Sequence, residues 1–396
     1  MKNKPLLVLF LTIFLDLLGF GIIIPVFPII AKELNASAIE IGFIAGIYSL
    51  MNFIFSPFWG TLSDRIGRRP VMLISIALTV LAYVFFAFTN SLVFLILSRV
   101  FAGIGSANIS AAQAYIADIT PPENRAKNMG FIGAAFGLGF IFGPPIGGFL
   151  KSMSGTGSVE YVGWFSAILS SINLILAFLF LKESLQQKQK DKAYSFKPIA
   201  NLVNEFKKPV IRELILFNFI FIVAFAMMQI SSTIFWAEKF GFNEKQIGWV
   251  FMYIGVLSAI IQGGLVGKLN KYFGEKQLLT YGTIFMVIGL GTLPFTPVDI
   301  FWLQLVSLFF IALANGFISP AILALLSKNT PAHQQGQVLG SNQSFGSLAR
   351  VIGPALGGLL YSLDWGFPFW GGALLMGICF FLIGAIGKFA EAKLGV

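Results

Sequence analysis

The chain has 396 residues, of which 57% are hydrophobic and only 11% charged, more apolar surface than a soluble domain of this size can bury. That balance excludes a soluble enzyme and matches a bundle of membrane helices, each needing about 20 apolar residues. The net charge of +10 fits the basic cytoplasmic loops of a polytopic membrane protein and implies no nucleic-acid partner.

The apolar run from Pro5 to Ala31 exceeds a signal peptide's hydrophobic region and lacks a small-residue cleavage pattern, so it is read as a retained first span. Runs bounded by charged residues, Gly, Pro or Asn predict spans at 6–30, 41–60, 71–89, 92–116, 127–150 and 162–181. A second set follows at 212–236, 246–267, 277–294, 300–324, 336–361 and 366–387. The expected fold class is therefore an all-α membrane protein of twelve transmembrane helices. They form two six-helix bundles, 1–181 and 212–396, joined by a polar cytoplasmic linker over 182–211 that carries Lys188, Lys190, Lys192, Lys197, Lys207 and Lys208. With both termini cytoplasmic, 21 Lys and Arg residues fall inside and four outside, while Arg99 and Arg350 fall within spans. This is the asymmetry that the positive-inside rule demands.

The halves repeat. Gly60-Thr-Leu-Ser-Asp-Arg-Ile-Gly67 is echoed 207 residues later by Gly267-Lys-Leu-Asn-Lys-Tyr-Phe-Gly274. At an offset of 210, Thr120-Pro121 matches Thr330-Pro331, and Gly143-Pro144-Pro145-Ile146-Gly147-Gly148 matches Gly353-Pro354-Ala355-Leu356-Gly357-Gly358. A duplicated six-helix unit with a pseudo-two-fold repeat accounts for this. Such repeats place a substrate site near the bilayer midplane and alternate access by rocking one half against the other.

In the first span, Asp16 is the one acidic residue well inside the hydrocarbon. A carboxyl there can exchange a proton for a substrate, because loading one ligand favours losing the other; a structural ion pair or a permanently neutral carboxyl is the alternative. Between spans two and three, Gly60 and Gly67 bound a turn that presents Asp64, Arg65, Arg68 and Arg69 at the membrane surface. There they can pin or release neighbouring helix ends. In span four, Arg99, Gly103, Ser106, Ser110 and Gln113 recur at helical spacing and share a face. Arg99 either lines the cavity and modulates Asp16 or snorkels to the interface. Span five holds Gly139, Gly143, Pro144, Pro145, Gly147 and Gly148: glycines every four residues admit close helix approach, and the prolines remove amide donors and bend the helix.

These motifs resemble those of the major facilitator superfamily. Residues 60–70 match its GxxxDRxGRR signature, Arg99 to Gly105 its RxxxGxG pattern, and Gly139 to Gly148 its antiporter motif. The resemblance implies that an arginine of the first motif, Arg68, contacts Asp118 at the end of span four as a conformational latch. It also implies that the third motif marks an exchanger, that the protein is a monomer, and that it sits in a bacterial-type inner membrane. In the second half, Lys271 and Lys328 occupy the aligned acidic positions, so that copy of the latch is expected to be degenerate. Nearly the whole chain resembles the drug/proton antiporter branch, tetracycline-type and multidrug exporters in particular. Where those tetracycline exporters are expected to carry an acid in span three, a histidine in span eight and an acid in span nine, this chain has Ala82, Ser258 and Phe285-Met286.

Asn108, Gln113, Asn218, Gln229, Ser258, Gln262, Asn315, Gln343 and Arg350 supply polar groups within the spans. With many of the 44 phenylalanines they suit an amphipathic aromatic compound; interhelical hydrogen bonding is the competing reading of the amides. Gln343, Ser347 and Arg350 are expected on one face of span eleven. Cys379 can form no internal disulfide, His333 has no metal-ligand company, and neither a GxxxxGK[ST] nor a catalytic motif occurs in a supporting context. The sequence reading is a non-enzymatic, proton-coupled exporter without metal or cofactor, whose partners are a small molecule and membrane lipid. An exporter or facilitator of a sugar, amino acid or other metabolite, and a lipid flippase or scramblase, remain open at this point.

Overall fold

The computed structural model describes residues 4–106, 109–120, 122–154, 158–185, 209–261, 265–330 and 335–394. Fourteen α-helices run in order among them. They are α1 (Lys4–Ile23), α2 (Val26–Glu33), α3 (Ala38–Ile66), α4 (Arg68–Ala87), α5 (Leu92–Ser106), α6 (Ile109–Ile119) and α7 (Pro122–Ser154). The series continues with α8 (Glu160–Phe180), α9 (Pro209–Lys239), α10 (Glu244–Ile260), α11 (Val266–Thr292), α12 (Trp302–Lys328), α13 (Gln335–Leu363) and α14 (Phe367–Leu394). Taking α1 with α2, and α5 with α6, as single crossings gives the twelve spans. Among the described residues, nine helical segments are long and apolar enough to cross a membrane by themselves. The other three crossings are α7 and α13, diluted by glycines and internal prolines, and the short α10.

Breaks fall where the backbone demands them. The first span divides at Ile24-Pro25, because Pro25 has no N–H to continue the ladder and Ile24 closes a tighter turn onto the Gly21 carbonyl at 3.3 Å. Residues 60–66, expected in a connecting turn, are instead the last two turns of α3. The connection to α4 is Gly67 alone, held at φ +115°, a conformation that favours glycine. Gly274, its aligned partner in the second half, is likewise at φ +74° and breaks α11.

Burial patterns are those of helices in lipid. On α8 the buried face is small and polar (Gly163, Ser166, Ala167, Ser170, Asn173, Ala177), while Ile168, Ile172, Ile175 and Leu179 are exposed. Water would reject that arrangement; lipid favours it, since packing between small residues, not apolar burial, joins membrane helices. Packing divides the described helices into two compact units. One contains α1, α2, α3 from Ile47, α4 to α8 and Trp236–Met252; the other contains Ala38–Gly46, α9 to Phe235, and the chain from Tyr253 through α14. Most of the expected linker over 182–211 lies outside the described residues.

In the first unit, α1 and α7 approach through glycine. A Cβ on Gly139 would lie 2.9 Å from the Leu17 backbone, and one on Gly143 2.6 Å from the carbonyl carbon of Gly21. Gly147 faces the Ile22 carbonyl at still closer range. Gly143→Val should therefore destabilise the protein by about 1–3 kcal/mol, the usual penalty of overpacking, and lower its melting temperature in detergent. Gly137→Ala, with open space around the added carbon, should melt like the parent.

Candidate functional site

The first unit holds a buried polar centre. Asp16 projects from the middle of α1, buried, with its Oδ1 lacking any hydrogen-bond partner among the described residues. One turn on, at Gly19, the absence of a side chain admits the hydroxyl of Tyr83 from α4, which would sit 2.6 Å from a Cβ there. Tyr83 is within electrostatic reach of Asp16, of Tyr48 on α3 and of Arg99 on α5. Tyr48 in turn stacks on Phe20 with ring centroids 5.0 Å apart.

Arg99 is buried, not snorkelling. Its guanidinium lies over the rings of Phe27 and Phe86, 5.7 and 5.4 Å from their centroids, and Nε reaches the Ser98 hydroxyl at 3.4 Å. Its Nη2 has no hydrogen-bond partner among the described residues. Among the described residues Arg99 and Asp16 form no salt bridge: aromatic faces hold the cation, and Tyr83 stands near both groups. Sequence reading missed Tyr83 and Tyr48 because it sought charges and amides; a tyrosine inside an apolar run was the available signal.

At the junction of α3 and α4, Arg68 gathers a charged cluster. It is buried and pairs with Asp64 through Nη1 at 2.5 Å and with Asp118 through Nε at 3.0 Å; Nη1 also donates to the Ser63 hydroxyl at 2.6 Å. Arg69 donates to the Phe178 carbonyl at 2.6 Å, and Arg65 stands in the last turn of α3, which also contains Gly60. Glu183, unremarked in the sequence, caps α4: its carboxylate accepts the backbone N–H of Arg68 at 2.9 Å and of Arg69 at 3.3 Å. An acid at a helix N-terminus is favoured by the helix dipole.

The second copy of this cluster is not degenerate but charge-reversed. Glu275 stands 207 residues after Arg68, and Lys328 stands 210 after Asp118; the Lys328 ammonium pairs with Glu275 at 2.6 Å. Asn270, aligned with Ser63, donates to the same carboxylate at 3.1 Å. Anion and cation have exchanged places with the partnership kept.

Pro144, Pro145 and Gly148 face away from α1. A Cβ on Gly248 of α10 would come 2.6 Å from the Pro144 carbonyl and 3.2 Å from the Pro145 α-carbon, and Gly148 abuts the Glu244 carbonyl. In the second unit, Gly42 of α3 meets Pro354, and Gly358 meets Ala38. The duplicated motif makes duplicated crossings.

Of the polar groups expected to line the cavity, Gln113 belongs to the first unit, and Asn218, Gln229, Ser258, Asn315, Gln343 and Arg350 belong to the second. Asn108 and Gln262 lie outside the described residues. Asn218 is buried and donates to Asn342 on α13 at 2.8 Å, an interhelical bond of the kind weighed against a cavity role. Asn315 accepts from Ser319 at 3.2 Å on its own helix. Gln113, Gln343 and Arg350 are exposed, Gln229 and Ser258 half-buried. On α13, Ser347 is buried while Gln343 and Arg350, two turns apart, remain exposed. Among the described residues, no three His, Cys, Asp or Glu side chains are grouped to hold a metal.

A helical membrane protein of two repeated six-span halves, with a lone carboxyl inside its first span and paired clusters at its helix junctions, is a polytopic transporter. The chain belongs to the Major Facilitator Superfamily, whose sequence model matches residues 9–354 and 230–391. It is 32% identical over 377 residues to Multidrug resistance protein 2 of Bacillus subtilis, covering 93% of this chain and 92% of that protein. It is also 32% identical over 385 residues to the class H Tetracycline resistance protein of Pasteurella multocida, covering 95% and 93%. Among solved structures it resembles the human organic anion transporter MFSD10 (TETRAN), at 25% identity and TM-score 0.74, over 96% of this chain and 99% of that one.

The charge reversal yields a test. Glu275→Lys faces Lys328 with a like charge and should lower stability by about 1 kcal/mol, the scale of a partly exposed pair, with slower transport. Adding Lys328→Glu should restore both melting temperature and rate; failure of the double variant to recover would deny the pairing any role.

Proposed function

We propose that this protein exports amphipathic small molecules in exchange for protons, by alternating access in a bacterial-type inner membrane with both termini cytoplasmic. The observation that carries the coupling is Asp16: a carboxyl buried within a span, with no salt bridge among the described residues. An uncompensated carboxylate is costly in hydrocarbon, so this site is stable when protonated and calls for replacement charge when it is not. A proton leaving as substrate binds, and returning as substrate leaves, satisfies that requirement.

Tyr83 and Arg99 modulate the centre by their fields. The Arg68 cluster and its reversed copy at Glu275 act as latches on the cytoplasmic ends of the helices, and the α1/α7 glycine seam gives the exchanger its close-packed moving surface. Relatives named for multidrug and tetracycline resistance, matched over almost their full length, support the efflux reading and the small-molecule class. Ala82 and Met286, both buried, together with Ser258, stand where acids and a histidine were expected of a tetracycline exporter, which favours broad aromatic recognition over tetracycline alone. The partners are the exported molecule and lipid, the working unit is a monomer, and no cofactor beyond the coupling proton is required.

In proteoliposomes, Asp16→Asn should abolish accumulation of drug against its gradient under an imposed proton gradient, while exchange driven by the drug gradient persists. Undiminished uphill accumulation by that variant would remove Asp16 from coupling.

A further inference from the structure

The coupling reading of Asp16 leaves one neighbour of α1 unexplained. On α8, Ser166, Ser170 and Asn173 are spaced four and three residues apart and share the buried face. Ser166 Oγ, Ser170 Oγ and Asn173 Oδ1 have no hydrogen-bond partner among the described residues, and neither has Asp16 Oδ1. All four residues are at least nine-tenths buried. Ser171, on the adjacent face, returns its hydroxyl to the Ala167 carbonyl at 2.7 Å, the ordinary outlet for a serine within a helix. Ser166 and Ser170 do not take it.

Asn173 ties this stripe to Asp16. Its Nδ2 donates to the backbone carbonyl of Thr12 at 3.0 Å, and Thr12 lies one turn before Asp16 on α1. Spans one and six of a six-span bundle run in opposite directions. One turn forward along α1, to Asp16, therefore corresponds to one turn back along α8, to Ser170. Ser166 follows at the level of Gly19, where the Tyr83 hydroxyl packs. By this register the Asp16 carboxyl, the Ser170 and Ser166 hydroxyls and the Asn173 amide fall at successive levels of α1 and α8, and Asp16 Oδ1, both hydroxyls and Asn173 Oδ1 have no partner among the described residues.

Buried polar atoms are rarely left unpaired, and oxygen-only sets built around a carboxylate suit hard cations. We propose that the α1–α8 seam is a binding site for a monovalent cation, hydronium or Na+, centred on the Asp16 carboxylate and completed by Ser166, Ser170 and Asn173. The proposal rests on the coupling role of Asp16 and deepens it by naming the rest of the ion's site. Loaded, the site is neutral; release of the cation leaves the carboxylate charge that drives the exchange. Arg99, held between aromatic rings, does not fill the position.

The test uses the full chain in proteoliposomes, reading accumulation of a lipophilic fluorescent dye under two separate drivers: a pH gradient without Na+, and a Na+ gradient at equal pH. Accumulation under the pH gradient identifies the cation as hydronium, as the proton-coupled reading requires; accumulation under Na+ alone keeps the seam as a cation site and overturns the proton as coupling ion. Ser166→Ala with Ser170→Ala should reduce accumulation under the effective driver about tenfold, as expected for losing hydrogen bonds to a charged group, with dye-gradient exchange within about twofold of the parent. Should the double variant lose exchange as well, Ser170→Ala against Ser170→Thr decides: the hydroxyl-bearing variant should accumulate dye and the alanine variant should not. Parental accumulation in the serine variants, with loss in Asp16→Asn, overturns the seam alone. Parental accumulation in Asp16→Asn as well, or accumulation under neither driver, overturns the coupling reading and the seam together.

Discussion

A charge inside hydrocarbon must be neutralised, paired or put to use, and that requirement organises the first unit around Asp16. The span carrying it is otherwise apolar, so no surface solvent relieves it. The surrounding helices bring the Tyr83 hydroxyl to Gly19 and the Asn173 carboxamide to the Thr12 carbonyl, yet among the described residues no lysine or arginine pairs with the carboxyl. Arg99, the nearest functional cation on sequence grounds, is satisfied instead by the faces of Phe27 and Phe86. The arrangement keeps both charges in one centre without cancelling them. A salt bridge would fix the carboxylate in a single state, and among the described residues there is none, as the proposed coupling requires.

Around that centre the helices are packed through glycine. Glycines at 21, 139, 143 and 147 let α1 and α7 touch backbone to backbone. Pro144 and Pro354 repeat the same crossing against Gly248 and Gly42, so duplication has preserved the contact as well as the motif. At the helix junctions the duplication preserved pairing but not polarity: Arg68 binds two acids in one half, and Glu275 binds a lysine and an amide in the other. Equivalent positions of the two halves thus carry opposite signs.

Much of this was legible in the sequence. Twelve spans, the half-repeat, the pairing of Arg68 with Asp118 and the close-packed segment from Gly139 to Gly148 follow from composition, spacing and family resemblance, since lipid imposes long apolar helices and glycine imposes close approach. What escaped depends on long-range contact. Glu183 sat in a segment read for its lysines, and nothing local shows that its carboxylate caps a helix beginning 115 residues earlier at Arg68. The reversed latch was overlooked because aligned positions were examined for acids alone; setting Glu275 against Arg68 at the same offset would have revealed it. For Asn218 the sequence leaves cavity lining and interhelical bonding both open, and its partner Asn342, one residue before the predicted Gln343, becomes visible only in the structure. Ser166 and Ser170 carry no motif and gain meaning only beside α1.

In the proposed exchange, substrate and proton compete through Asp16. Its most direct measurement is proton release by the purified protein in weakly buffered detergent, followed with a pH-sensitive dye as tetracycline, a quinolone or a lipophilic dye is added. The account predicts release that saturates with substrate and is absent from Asp16→Asn, even though that variant still binds the compound. Saturable binding with no proton released from the parent protein, or equal release from Asp16→Asn, would contradict it.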